Sequence, residues 1–283
     1  MRDKENGAVR IKYKFGVTQW GMPGDGLYAV RLANEAGLDG VHLELGSYAK
    51  GYPLAQERIQ DAYLEDGAKY GIEFPALVLN DLTVNDFAHG RDSEKGRIAY
   101  EQIKIGLKAA SRMKIKVVSI PSFLSGLIED KRTFDESVKA LQFCCDEAGQ
   151  YGITIMHEAA LRADEHIRFI KEVGRPNIKI LFDTMNYRFT GGHDQVDTLH
   201  TLYPYIIDQV HVKDGVTDLS GALLGKGSMD FYKQMDYLVS QKYQGWFIME
   251  NYYCESPLRN LNEEDQLSLL IKDLQTVKSA LGN

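Results

Sequence analysis

Ile153-Thr-Ile-Met-His-Glu158 is a short β-branched run that closes on an acid, and three later runs close on an acid or an imidazole: Ile180-Leu-Phe-Asp183, Asp208-Gln-Val-His211 and Trp246-Phe-Ile-Met-Glu250. Runs of this kind, separated by longer stretches of helical periodicity, mark repeated strand–helix units and a parallel sheet. In a (β/α)8 barrel the ends of consecutive strands converge on one mouth, so residues far apart in sequence become neighbours there. The fold is therefore read as α/β, a (β/α)8 TIM barrel, with Glu158, Asp183, His211 and Glu250 gathered at its mouth.

Working outward, eight candidate strands emerge: Lys14 to Trp20, Gly40 to Ser47, Phe74 to Asp81, Val117 to Phe123, Ile153 to Ala159, Lys179 to Asn186, Asp208 to Asp214 and Gly245 to Asn251. The stretches between them are amphipathic. In Thr133 to Gly149, Thr133 and Glu136 form a capping-box pattern, and Val138, Leu141, Cys145 and Ala148 share a face. A final helix is read through Leu267, Leu270, Ile271, Leu274, Val277 and Leu281, before Gly282. With no repeat beyond this alternation, residues 1–283 are taken as one domain. Side chains alternate along a strand, and unpaired charge is expensive against the outer helices. Glu158, His211 and Lys213 are accordingly expected to face the barrel interior, and His157 the helix layer.

Composition narrows the partners. A 44% apolar and 26% charged chain is an ordinary globular one, and its net charge of -7 disfavours nucleic acid and anionic membrane. The opening Met-Arg-Asp-Lys-Glu-Asn-Gly has no apolar signal stretch, so a cytoplasmic location is expected. Cys144, Cys145 and Cys254 lack ligand-like spacing and are read as packing residues. A small-molecule substrate remains the favoured partner.

Three carboxylates and an imidazole suit an open octahedral site for Mn2+, Mg2+ or Co2+ better than a closed structural zinc site. A divalent ion chelated by a ketone oxygen and the adjacent hydroxyl acts as a Lewis acid on a developing enediolate, and flanking carboxylates can move the proton.

Several segments are shared with a known family: Gly40-Val-His-Leu-Glu-Leu45, Val118-Ser-Ile-Pro121, His157-Glu158, Phe182-Asp183-Thr184, Val210-His211-Val-Lys-Asp214, Gly225-Lys-Gly-Ser-Met-Asp-Phe231 and Met249-Glu250. Through them the chain resembles, over most of its length, the xylose-isomerase-like TIM-barrel superfamily of sugar isomerases and epimerases. The resemblance implies that Glu158, Asp183, His211 and Glu250 bind one divalent ion, with Glu158 and Glu250 also the acid/base pair. It also implies a carbohydrate or cyclitol substrate and a homo-oligomer. The ketose 3-epimerase pattern has a histidine where Asn186 stands, and an arginine in the stretch here filled by Lys213 to Thr217. Asp183 to His193 and His211 to Asp214 are more similar to inosose dehydratases. An eliminative reaction is thus the alternative, as is a metal-bearing subunit of a C-glycoside-cleaving complex with a hetero-subunit partner. An apurinic endonuclease would need a histidine-rich zinc cluster and a basic groove, which seven scattered histidines and an acidic balance do not offer.

Other residues are assigned to substrate: Trp20 as an apolar wall, Arg188 as a clamp for an anionic group, Asn186, and Glu44 or Lys213 as acids reaching a hydroxyl. His193 is the third acid candidate. Gly225 to Ser228 is read as a turn and N-cap, with phosphate binding by its exposed amides as the second reading.

Overall fold

Each strand pairs in parallel with its successor in the chain, and the last pairs with the first. The computed structural model describes residues 13–261 and 265–282. The charged opening stretch lies outside them. Strands β1 (Lys14–Thr18), β2 (Gly40–Glu44), β3 (Leu77–Val78), β4 (Val117–Ser122), β5 (Thr154–Ala159), β6 (Ile178–Asp183), β7 (Ile206–Val212) and β8 (Trp246–Met249) close in sequence order into a barrel. Around it lie α1 (Leu27–Glu35), α2 (Glu57–Tyr70), α3 (Glu94–Arg112), α4 (Lys131–Gly149), α5 (Ala163–Val173), α7 (Gln195–Leu202), α8 (Phe231–Ser240) and α9 (Gln266–Ala280), with a one-turn α6 (Asn186–Phe189) in the β6 loop. No helix among the described residues is long and apolar enough to cross a membrane.

Element boundaries differ from the sequence reading where one residue redirects the chain. The third strand is read from Phe74 to Asp81 but pairs only at Leu77–Val78. Pro75 has no N–H to give the ladder, and Asn80–Thr83 wind into a 3-10 turn. The sixth strand stops at Asp183 because its carboxylate oxygen Oδ1 accepts from the amides of Met185 and Asn186, both at 2.7 Å, starting α6. In α4 the cap is Asp130, whose carboxylate accepts from Thr133 N at 2.7 Å. Thr133 is thus the third helical residue of the capping box, not its first partner, and Glu136 lies outside it.

The barrel interior is filled in layers. A lower apolar group of Ala76, Val117, Met156, Leu181 and Ile207 is buried together. Beside it, Gly40 makes room for Trp246, since a Cβ there would meet the indole Cη2 at 2.8 Å. Cys144 and Cys145 are buried in α4, as packing requires. His157 faces the helices: its Nδ1 meets His166 Nε2 of α5 at 3.0 Å, and its Nε2 meets Ser122 Oγ at 3.0 Å.

The loops after β7 and β8 are tied to α9 by one buried carboxylate. Asp273 accepts from Leu224 N (2.8 Å), Asn251 Nδ2 (2.7 Å) and the Tyr253 hydroxyl (2.8 Å). Burial pushes its carboxyl up to about 6 against the lowering effect of these donors. A carboxyl raised in the folded state contributes stability that is complete below its ordinary value and is lost as pH rises through about 6. Asp273→Asn, which cannot ionise, should therefore gain on the wild type by up to roughly 3 kcal/mol between about pH 4 and pH 7. Urea denaturation at both pH values reads this difference, and a constant offset between the two proteins would refute it.

Candidate metal centre

β5 to β8 are adjacent, so the residues closing them form an arc at one side of the mouth. One ligand atom each from Glu158, Asp183, His211 and Glu250 lies within 4.8 Å of the others, and all four residues are buried. His211 Nδ1 is 3.1 Å from Glu250 Oε2 and 3.7 Å from Glu158 Oε1. Among the described residues, Asp183 Oδ2 and His211 Nδ1 have ion-pair neighbours but make no hydrogen bond despite burial. Buried polar atoms are rarely left so, and oxygen and imidazole donors aimed at one point fit a divalent cation.

Lys213 neutralises part of this charge. Its ammonium lies 2.6 Å from Glu250 Oε2 and 3.2 Å from Asp183 Oδ2, in a side chain almost wholly out of water. Burial pulls the lysine down, but Asp183 and Glu250 outweigh it and hold it well above its ordinary value. Burial pushes Glu250 up, yet Lys213 and His211 prevail and keep it well below the carboxylate range. Asp183, buried beside two other acids, is raised, with Lys213 opposing. For His211, burial is outweighed by Glu250 and Glu158, which hold the imidazole up at about 10. A cation entering the centre thus competes with protons and with Lys213 for the same oxygens.

The other residues assigned to substrate divide into two groups. Trp20 sits in a turn just after β1 and donates its indole N–H to Glu250 Oε1 at 3.0 Å, while Asn186 Nδ2 donates to Glu158 Oε1 at 2.9 Å. With Lys213 they line a cavity of about 360 Å³ that opens over Glu158 and Glu250. That volume is in the range of small-ligand sites. Arg188 is not among its lining residues; it is held by Asp230 Oδ2 (2.7 Å) and the Ser228 carbonyl (2.6 Å). His193 is also absent from the lining. Glu44 lines a neighbouring cavity of about 500 Å³, and Asn80, which lines both cavities, donates to its Oε2 at 3.3 Å.

The Gly225 to Ser228 turn is already occupied by the chain itself. Asp214 takes the amides of Gly225 (3.0 Å) and Gly227 (3.0 Å) on Oδ2 and those of Gly215 (2.9 Å) and Met229 (3.3 Å) on Oδ1. The phosphate reading of that turn is corrected accordingly: an internal carboxylate fills the nest.

Sequence reasoning passed over the apolar wall of the metal-side cavity, formed by Phe123, Leu124, Leu127 and Tyr252 on irregular loops that carry no periodic signal. It also gave no role to His42 and Gln209, although their alternation with Glu44 and His211 aims both inward.

The sequence profile of the xylose isomerase-like TIM barrel matches residues 30–272. The chain is 28% identical over 216 residues, 76% of its length and 77% of the relative's, to a 2-epi-5-epi-valiolone 7-phosphate 2-epimerase of Actinoplanes sp.. Its fold is similar to D-psicose 3-epimerase from Clostridium cellulolyticum H10, with TM-score 0.75, 16% identity and coverage of 95% of this chain and 99% of that one. It is also similar to 3-keto-D-glucoside 4-epimerase from E. coli, with TM-score 0.70, 17% identity and coverage of 95% and 100%.

Removing one member of a buried ion pair costs about 3–5 kcal/mol. Lys213→Met should lower the melting temperature of metal-free protein accordingly and enlarge the rise given by added Mn2+, because the cation then supplies the missing charge. Thermal scans with and without Mn2+ read both effects; an unshifted metal-free melting temperature would show that Lys213 is not the counter-charge.

Proposed function

The chain belongs to the xylose isomerase-like TIM-barrel family and is an enzyme, and from that premise we propose a divalent-metal-dependent epimerase or isomerase of a sugar, sugar phosphate or keto-polyol. The observation that carries this reading is the buried four-residue cluster opening into a cavity of small-ligand size. Glu158, Asp183, His211 and Glu250 would hold Mn2+, or Mg2+ or Co2+. When bound, such a cation supplies Lewis-acid stabilisation of the negative charge that proton loss beside a carbonyl creates.

The rest follows from the chain's own groups. Glu158 on β5 and Glu250 after β8 end the arc of four strands, so they flank whatever lies between them. Lys213 and Trp20 keep Glu250 ionised, the form that can accept the proton from the carbon next to the carbonyl, while weakening it as a base. Glu158, oriented by the Asn186 amide and carrying a proton at the start of the turnover, delivers it to the opposite face, which inverts that carbon and leaves Glu250 protonated and Glu158 ionised until solvent resets the pair. The buried position of both acids keeps bulk water from exchanging indiscriminately with the reacting carbon. The amides of the Gly225 turn being taken by Asp214, no phosphate group is assigned to that corner. The Actinoplanes relative, named as a 2-epimerase, supports epimerisation as the first reading.

The test is solvent-hydrogen exchange followed by NMR in D2O, over ketoses, ketose phosphates and inososes with Mn2+- or Mg2+-loaded protein. A true substrate should acquire deuterium at one carbon with inversion or carbonyl transfer; loss of a hydroxyl instead would place the reaction among the dehydratases. Glu158→Gln and Glu250→Gln should each cut turnover by about 10²–10⁴ while the protein stays folded. Near-normal activity in both variants would exclude this pair as the proton carriers.

A further inference from the structure

Four polar groups run in line through the barrel beneath the metal centre. Gln209 Nε2 donates to the carbonyl of Pro75 at 3.3 Å, Gln209 Oε1 meets His42 Nε2 at 2.7 Å, and His42 Nδ1 meets His211 Nε2 at 3.2 Å. His42 lies on β2 and Gln209 and His211 on β7, so the line crosses the interior from one wall to another. The His42 and His211 rings are 5.2 Å apart. All three side chains are buried, none more than 3% exposed. Water therefore does not decide which nitrogen carries which proton.

The direction of the line is fixed from its lower end. A carbonyl oxygen only accepts, so Pro75 turns the NH2 of Gln209 toward itself and the amide oxygen of Gln209 toward His42. That oxygen also only accepts, so the proton of His42 belongs on Nε2, which leaves its Nδ1 as a lone pair. A lone pair facing His211 Nε2 calls for the proton of His211 on Nε2. His211 Nδ1, which points at Glu158 and Glu250, is then free of its proton when a cation takes that place. The nitrogen that a metal needs bare is thus selected three residues away, by a backbone carbonyl.

We propose that His42 and Gln209 are positioning residues that fix the tautomer and ring angle of His211 and so prepare its Nδ1 for a divalent cation. The inference rests on the metal reading of the four-residue centre. Outer partners of this kind are worth about 10–100-fold in metal affinity. A residue that merely filled space would be replaceable by an apolar one of equal size. A residue that directs hydrogen bonds would not be.

The experiment has two parts. Mn2+ affinity is measured by calorimetry on wild type, His42→Phe, Gln209→Met and Gln209→Glu. His42→Phe and Gln209→Met should weaken binding by about 10–100-fold. Gln209→Glu should bind more tightly than Gln209→Met, since a protonated carboxyl can donate to Pro75 and still accept from His42. Equal binding by Gln209→Met and wild type would overturn the proposal, as would Gln209→Glu being the weaker of the two. The second part needs no variant. In histidine-15N-labelled wild type, long-range NMR correlations should place the proton of His42 on Nε2 with or without Mg2+, and that of His211 on Nε2 when Mg2+ is present. A proton on His42 Nδ1 in either state would overturn the relay. Failure of the wild type to bind Mn2+ or Mg2+ at all would defeat the metal reading itself, while the His42 tautomer would still be read.

Discussion

Three carboxylates held out of water within a few ångströms of one another repel strongly, and the upper half of this barrel is arranged around relieving that repulsion. Lys213 reaches two of them, His211 the space between two, Trp20 and Asn186 each donate to one, and the α6 amides hold the inner oxygen of Asp183. These partners come from β1, β6 and β7 and the acids they serve from β5, β6 and β8, so the closure of the barrel and the charge balance of the mouth are one constraint. The first strand has to meet the eighth for Trp20 to reach Glu250. The same closure allows His42 on β2 to approach His211 through the interior.

Much of this could be read from the chain because strand ends in a parallel barrel obey two simple rules, alternation and convergence. Both act through the backbone and leave a periodic trace. The ends of β5 to β8, the inward faces of Glu158 and Lys213 and the outward face of His157 are all consequences of them. Where the reading stops short, the deciding contact lies between residues with no periodic relation. Pro75 shortens β3 and at the same time presents the carbonyl that orients Gln209. Asp130, three residues before Thr133, caps α4. Arg188, assigned to an anionic substrate group, is engaged by Asp230, which is distant in sequence and near only because the β6 and β7 loops meet.

Lys213 and Glu44 illustrate the same limit in opposite directions. Both face inward by alternation, and both are read as acids reaching a substrate hydroxyl. Lys213 enters the cluster and bonds to its acids, whereas Glu44, two strands beyond the arc, opens into the adjoining cavity with Asn80 between them. Alternation gives the side of the sheet on which a side chain lies. It does not say which of two cavities on that side will receive it, because loop packing after β2 and β3 divides the mouth.

The carboxylate of Asp214 carries a consequence of its own. Four backbone amides of the long β7 loop converge on it, so that segment has an anion to wrap around whether or not any guest molecule is present. A loop templated by a ligand must be ordered afresh at every encounter, at an entropic cost that weakens each association. Here the template is covalent and permanent, and the shape of that rim is inherited from folding, ready before the first collision.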